Sequence, residues 1–149
     1  MSIVGQKERA TQKRVVDLFR HTLHYEYLGN WHDRPNNRAI EETYLRPFLV
    51  QRGYADALIT KALRELKRVA GDQTTSLYES NKQLYSLLRY GIQVKADAGD
   101  TYQTVGLIDW QNPHANHFAI AEEVTVVSPN TKRPTSCCTS TGLRWACWN

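Results

Sequence analysis

Cysteine is missing from residues 1–133, and all three cysteines, Cys137, Cys138 and Cys147, fall in the last stretch, Pro134–Asn149. A body without cysteine excludes a disulfide-stapled scaffold and fits a reducing compartment. The adjacent pair and the distant third lack C-x₂-C spacing, which argues against a zinc or redox site. Long apolar runs are missing too, since nothing approaches the ~20 residues that cross a bilayer. No charged, apolar, small-residue leader opens the chain, so the expected location is cytoplasmic. No G-x-x-x-x-G-K-[ST] loop occurs, which excludes P-loop binding of ATP by these residues. Internal repeats and low-complexity linkers are also lacking.

What is present suits one compact globular domain. The 149 residues are 41% hydrophobic and 23% charged, a balance that supports a buried core. The net charge of +4 and a pI near 9.0 permit a nucleic-acid partner without demanding one.

Helical spacing dominates the first half. Val15, Leu18, Phe19, Leu23 and Tyr27 place one apolar face on a helix from about Glu8 to Leu28. Gly29–Asn37 reads as a loop. Ile40, Tyr44 and Phe48 begin a second helix that Pro47 should kink or shorten. Asp56 suits the start of a third, with Ile59, Ala62, Leu63 and Leu66 inward and Gly71 closing it. Leu77, Leu84, Tyr85 and Leu88 mark a fourth, stopped by Gly91. The period then changes to two. Ile92, Val94 and Ala96 alternate with polar residues, AGD supplies a turn, and YQTVGLIDW returns. After the loop QNPHANH, Phe118, Ile120, Val124 and Val126 lie on one face of a third strand. The expected class is α+β, with N-terminal helices followed by a mixed sheet that still lacks strands.

The tail supplies no obvious replacement. Pro134, Gly142 and a Thr/Ser/Cys run predict poor pairing with the sheet. That would leave Val124 and Val126 on or beside an open strand edge. Residues 135–149 are therefore expected to lack native structure, and a shifted reading frame accounts for their character. Read one base out of step, Cys137–Cys138 must give leucine, Trp145–Ala146 glycine, Cys147–Trp148 leucine and Trp148–Asn149 glutamate. The remaining positions accommodate DIVLYVNGLALGVLE from Thr135 onward: an alternating strand, an Asn-Gly hairpin turn and a second apolar run ending in an acid. A TGA stop after Asn149 would continue the shifted frame with leucine and leaves lysine possible next.

With that frame restored, KRPD, a strand, Asn-Gly, a strand and ELK resemble the PD-(D/E)xK nuclease signature of the restriction (R) subunit of type I restriction enzymes. The undisturbed chain is similar to that subunit's N-terminal domain over about residues 8–134, through ERATQKRVVDLF, YEYLGNW, NNRAIEE, LLRYGIQVK, TVGLIDWQNP, FAIAEEVTV and TKRP in order. The resemblance implies an incomplete restriction-endonuclease-like fold, with residues 1–134 forming part of a nuclease domain. It also implies DNA as a partner, together with modification and specificity subunits. In intact relatives it implies Mg²⁺, with ATP used only by motor domains outside this stretch. The family's aspartate and glutamate positions fall at Thr135 and Asn149, and its lysine would fall beyond Asn149. Threonine cannot replace an anionic ligand for a hard cation. The expectation is a truncated, catalytically inactive fragment with no cofactor of its own. A stand-alone DNA-binding or protein-interaction module is the alternative.

Several charged residues remain as candidates. Glu79, on the helix before the hairpin, is placed where nucleases of this superfamily often carry a further acid, although a solvated helix acid explains it as well. Glu122 is in phase with the apolar residues of the third strand, and a buried acid needs a partner or a function. Glu41 and Glu42 match a family stretch but also suit a helix N-terminus. Lys132 and Arg133 suit phosphate contact or an ordinary basic turn. Lys61, Arg64, Lys67 and Arg68 form a basic stripe that a solvated helix face also explains. His114, His117 and Asp109 lack the spacing of a standard metal site.

Overall fold

A computed structural model describes residues 3–35, 37, 39–125 and 136–148. The architecture is α+β and divides into two compact units, Met1–Ala39 with Phe118–Asn149, and Ile40–His117. Unit 1 holds helix α1 (Ile3–Asp17), a π-helical turn over Leu18–Thr22 and a four-stranded mixed sheet. The strands are β1 (Glu26–Asn30), β4 (Phe118–Glu122), β5 (Ser136–Ser140) and β6 (Leu143–Trp148), in the order β1-β4-β5-β6. β1 runs parallel to β4, and the remaining neighbours are antiparallel.

Three expectations change in this unit. The first helix does not reach Leu28: Leu18 and Leu23 are half exposed while Val16 is buried, and Glu26–Asn30 forms a strand. The apolar spacing misled because Tyr25 and Tyr27 pack as strand-side residues around Val16, Ile120 and Cys138. Second, β4 does not carry a single apolar face. Ala119, Ile120 and Ala121 are all buried, as in a strand covered on both faces. Val124 follows the strand and is fully buried, and Val126 lies outside the described residues.

The third change is the tail. Its described residues do pair with the sheet, with Ile120 opposite Cys138 and Cys138 opposite Ala146. Ladder hydrogen bonds come from the backbone, and threonine and tryptophan tolerate a pleated, half-buried surface. The turn between the strands is Thr141-Gly142, with φ of 50° and 83°. Positive φ at both central residues is the geometry of a two-residue type I′ hairpin. Cys137, whose register partner is Cys147, is disulfide-bonded. Cys138 is a free thiol at the centre of the unit's core.

Unit 2 contains α2 (Glu42–Gln51), α3 (Asp56–Ala70), α4 (Leu77–Tyr90) and an antiparallel pair, β2 (Ile92–Val94) with β3 (Gln103–Val105). This pair forms its own sheet and does not join the strands of unit 1. α2 runs through Pro47 to Gln51. α3 buries Ile59, Ala62, Leu63 and Leu66 as its spacing predicts. α4 departs from expectation, because Leu77 and Tyr85 are exposed. Gly91 ends it at φ 80°, where a Cβ would meet Thr104 and the Val105 carbonyl at 2.8 Å; glycine is required there.

The packing of the tail can be tested through Cys138. Burial pushes its thiol up to about 12, so at mildly alkaline pH almost none is thiolate, the reactive form. Cys138 should resist maleimide in the native protein and react once the protein is unfolded in urea. Rapid native labelling, located by peptide mass mapping, would show that β5 is not packed in the core.

Candidate active-site cleft

One end of the unit 1 sheet carries a row of paired residues. Asn30 on β1 pairs with Glu122 on β4, Glu122 with Ser136 on β5, and Ser136 with Trp148 on β6. Backbone pairing continues past β1 through Trp31 N–H to the Glu122 carbonyl at 2.8 Å. The loop after β1 is tied to the segment after β4. Asn37 Nδ2 donates to the carbonyls of Trp31 (3.2 Å) and Thr125 (3.0 Å), and Thr125 Oγ1 donates to the His32 carbonyl (3.0 Å). These cross-links hold His32, Glu122 and Glu123 at the sheet end.

A cleft of about 700 Å³ opens over this end. α1 and the turn after it line it with Arg9, Lys13, Asp17 and Arg20, and the strands and the segment after β4 with Tyr27, Glu122 and Glu123. The Tyr27 hydroxyl donates to Glu122 Oε2 at 2.6 Å, and the Arg20 guanidinium lies 4.8 Å from the Tyr27 ring centroid. Burial, then the hydrogen bond to Glu122 and its negative charge, push the Tyr27 phenol up to about 12. Gln12 Nε2 donates to Glu123 Oε1 at 3.4 Å. Glu123 has φ 50°, an uncommon conformation for a non-glycine residue. The cleft therefore brings carboxylates and cations together at one sheet end.

Of the sequence candidates among the described residues, Glu122 alone lines this cleft. Glu79 belongs to unit 2, in the first turn of α4, where its N–H is capped by Ser76 Oγ at 3.2 Å. It lines a shallow groove with Glu65, Arg68 and Lys82. Thr135, Asn149, Lys132 and Arg133 lie outside the described residues. The chain neighbours of the first two, Ser136 and Trp148, are paired with each other. The basic stripe of α3 is largely engaged locally: Lys61 donates to the Ala96 carbonyl (2.6 Å), Lys67 pairs with Glu42, and Arg68 pairs with Glu65 (2.6 Å). Glu41 is buried at the start of α2. Asp109 accepts from the N–H groups of Gln111 and Asn112 (3.1 and 2.9 Å), and His117 stacks on Tyr44. Among the described residues no three His, Cys, Asp or Glu side chains converge as a metal-binding group.

Sequence reasoning missed Arg9, Lys13, Arg20, Tyr27, His32 and Glu123. The cations recur on a helix whose exposed side looks like ordinary solvated surface, and Tyr27 meets Glu122 only through parallel pairing of distant segments.

This α+β sheet with a charged cleft at its end has a known counterpart in sequence. The profile of the family described as type I restriction enzyme R protein N terminus matches residues 5–144. The chain belongs to that family. The match passes Pro134 and runs through β5 and the hairpin turn into β6. No curated protein and no solved structure matches the chain.

Tyr27→Phe tests the cleft's internal bond. Removing the hydroxyl leaves Glu122 without that donor and should lower stability by about 1 kcal/mol. The pH signature is more specific. A phenol whose pKa is higher folded than unfolded contributes fully below about 10 and loses its contribution as pH rises through about 12. Urea unfolding across that window should show the parent losing stability relative to Tyr27→Phe. Parallel curves would mean the bond does not form in solution.

Proposed function

We propose that this chain is a nuclease-derived R-protein domain, of PD-(D/E)xK type, that keeps its sheet and DNA-facing cleft but has lost the carboxylates that would cut DNA. A frame change near Pro134 is the proposed cause. The observation that carries the reading is the hairpin. Thr141-Gly142, at the turn, falls where the neighbouring reading frame can be read as Asn-Gly, and the residues which that frame forces are leucine at positions 138 and 148, glycine at 146 and glutamate at 149. β5 and β6 fall on the two apolar runs of that frame. The family match over residues 5–144 supports the R-protein part of the reading.

Among the described residues, Glu122 and Glu123 do not make up a Mg²⁺ site. Glu122 already accepts from Tyr27, Glu123 from Gln12, and no third acidic, histidine or cysteine ligand joins them among the described residues. A hard divalent ion needs several converging oxygens, carboxylates among them. No metal-assisted cleavage step is therefore assigned to these two acids. The cleft's remaining role is binding, with Arg9, Lys13 and Arg20 meeting the phosphate backbone. Modification and specificity subunits are the proposed protein partners, and ATP-driven motor domains would act outside this unit.

Complementation tests the reading. A gene with one base restored at Pro134, carried with its modification and specificity partners and with the downstream frame, should restrict unmodified phage DNA. The present gene, at equal protein level, should not. Equal restriction by both genes would rule out the frame change as the cause of lost cleavage.

A further inference from the structure

α4 presents a stripe that neither its packing nor the cleft explains. Tyr78, Lys82, Tyr85 and Arg89 are spaced four, three and four residues apart. At ~100° per residue they fall within about 60° of one another, along about 16 Å of helix. All four are exposed, with Tyr78 at 71% and Tyr85 at 61%. The opposite side of α4, through Leu84 and Leu87, is the half-buried one. Trp110 extends the stripe at its C-terminal end: its ring centroid lies 5.0 Å from the Arg89 guanidinium, and its Nε1 donates to the Leu88 carbonyl at 3.1 Å. That bond fixes the indole on the surface, where it remains 49% exposed. Glu79 is the one carboxylate on α4, and it lines a groove with Glu65, Arg68 and the stripe's Lys82.

Single exposed tyrosines are ordinary on a solvated face, but here two alternate with cations along one helix face and a third ring, Trp110, continues the row. Aromatic rings interleaved with Lys and Arg match a strand whose bases offer π-faces and whose backbone offers phosphates. We propose that this stripe binds single-stranded nucleic acid. Tyr78, Tyr85 and Trp110 stack on bases, while Lys82 and Arg89 contact the intervening phosphates. A duplex fits poorly, because its bases are already stacked and its edges lie within grooves. The proposal rests on unit 2 alone and is independent of the cleft in unit 1.

The test is fluorescence anisotropy of the full chain with labelled oligo(dT), oligo(U) and a duplex, each of about 16 nucleotides. Single strands should bind more tightly than the duplex. Tyr78→Ser with Tyr85→Ser should weaken single-strand binding at least about tenfold, while Tyr78→Phe with Tyr85→Phe should retain it. Lys82→Gln with Arg89→Gln should flatten the salt slope by about 1.4. Whether oligo(dT) or oligo(U) binds better identifies the natural strand, and the same variants should weaken both. Arg9→Gln, Lys13→Gln and Arg20→Gln together should reduce duplex binding and spare the effect of the tyrosines, so failure at one surface is distinguishable from failure at the other. Circular dichroism confirms folding of each variant. The proposal is overturned by no single-strand binding, by equal loss with Ser and Phe, or by Ser variants that bind as the parent does. A stripe that captures a protein partner and ignores both oligonucleotides would overturn it as well.

Discussion

Pairing of β4 along both edges is the constraint on which unit 1 depends. β1 and β5 both register on it, and Ala119, Ile120 and Ala121 are buried. A strand in that position cannot slip by one residue without moving its whole side-chain set to the wrong side. Fixing β4 fixes Glu122 at its end. Glu122 then positions Tyr27 from β1, and the row continues through Ser136 to Trp148. The cleft is a consequence of this register, with α1 laid beside it.

The same constraint explains how a tail of unusual composition is accommodated. A central strand with an open edge presents unpaired N–H and C=O groups, and almost any extended segment that can turn back will satisfy them. Thr141-Gly142 supplies the turn, and backbone pairing requires little of the side chains on either arm. Cys138 then fills a small apolar position beside Ile120 and Val16. Ladder hydrogen bonds are sequence-tolerant, whereas a metal site demands particular charged atoms at particular positions.

Much of unit 2 was legible locally. The apolar face of α3, the stop at Gly91 and the alternation of β2 and β3 are all written within single segments. What escaped depends on distant partners. Glu26–Asn30 reads as the end of a helix until Ala119 and Ile120 are known to lie beside it. The two-unit division was equally hidden, because the β2–β3 pair and β4 share the same period and nothing local shows that they belong to different sheets. Of the site, Glu122 could be selected from strand phase. Tyr27, Arg20 and Lys13 could not, since nothing in a helical run marks which exposed cations face a cleft. Charge distribution reinforces the division: unit 2 carries as many Asp and Glu as Lys and Arg, so the formal excess of +4 belongs to unit 1.

The central claim is that the tail occupies the register of a nuclease hairpin while lacking its carboxylates. It is tested most directly by Thr135→Asp with Asn149→Glu in the present chain, read by calorimetric titration with Mn²⁺ and Mg²⁺. These positions flank Ser136 and Trp148, which are paired across β5 and β6 beside Glu122. The account predicts one divalent ion bound by the double variant, a loss of that binding when either substitution is made alone, and no such site in the parent. A folded double variant that binds no better than the parent would contradict it.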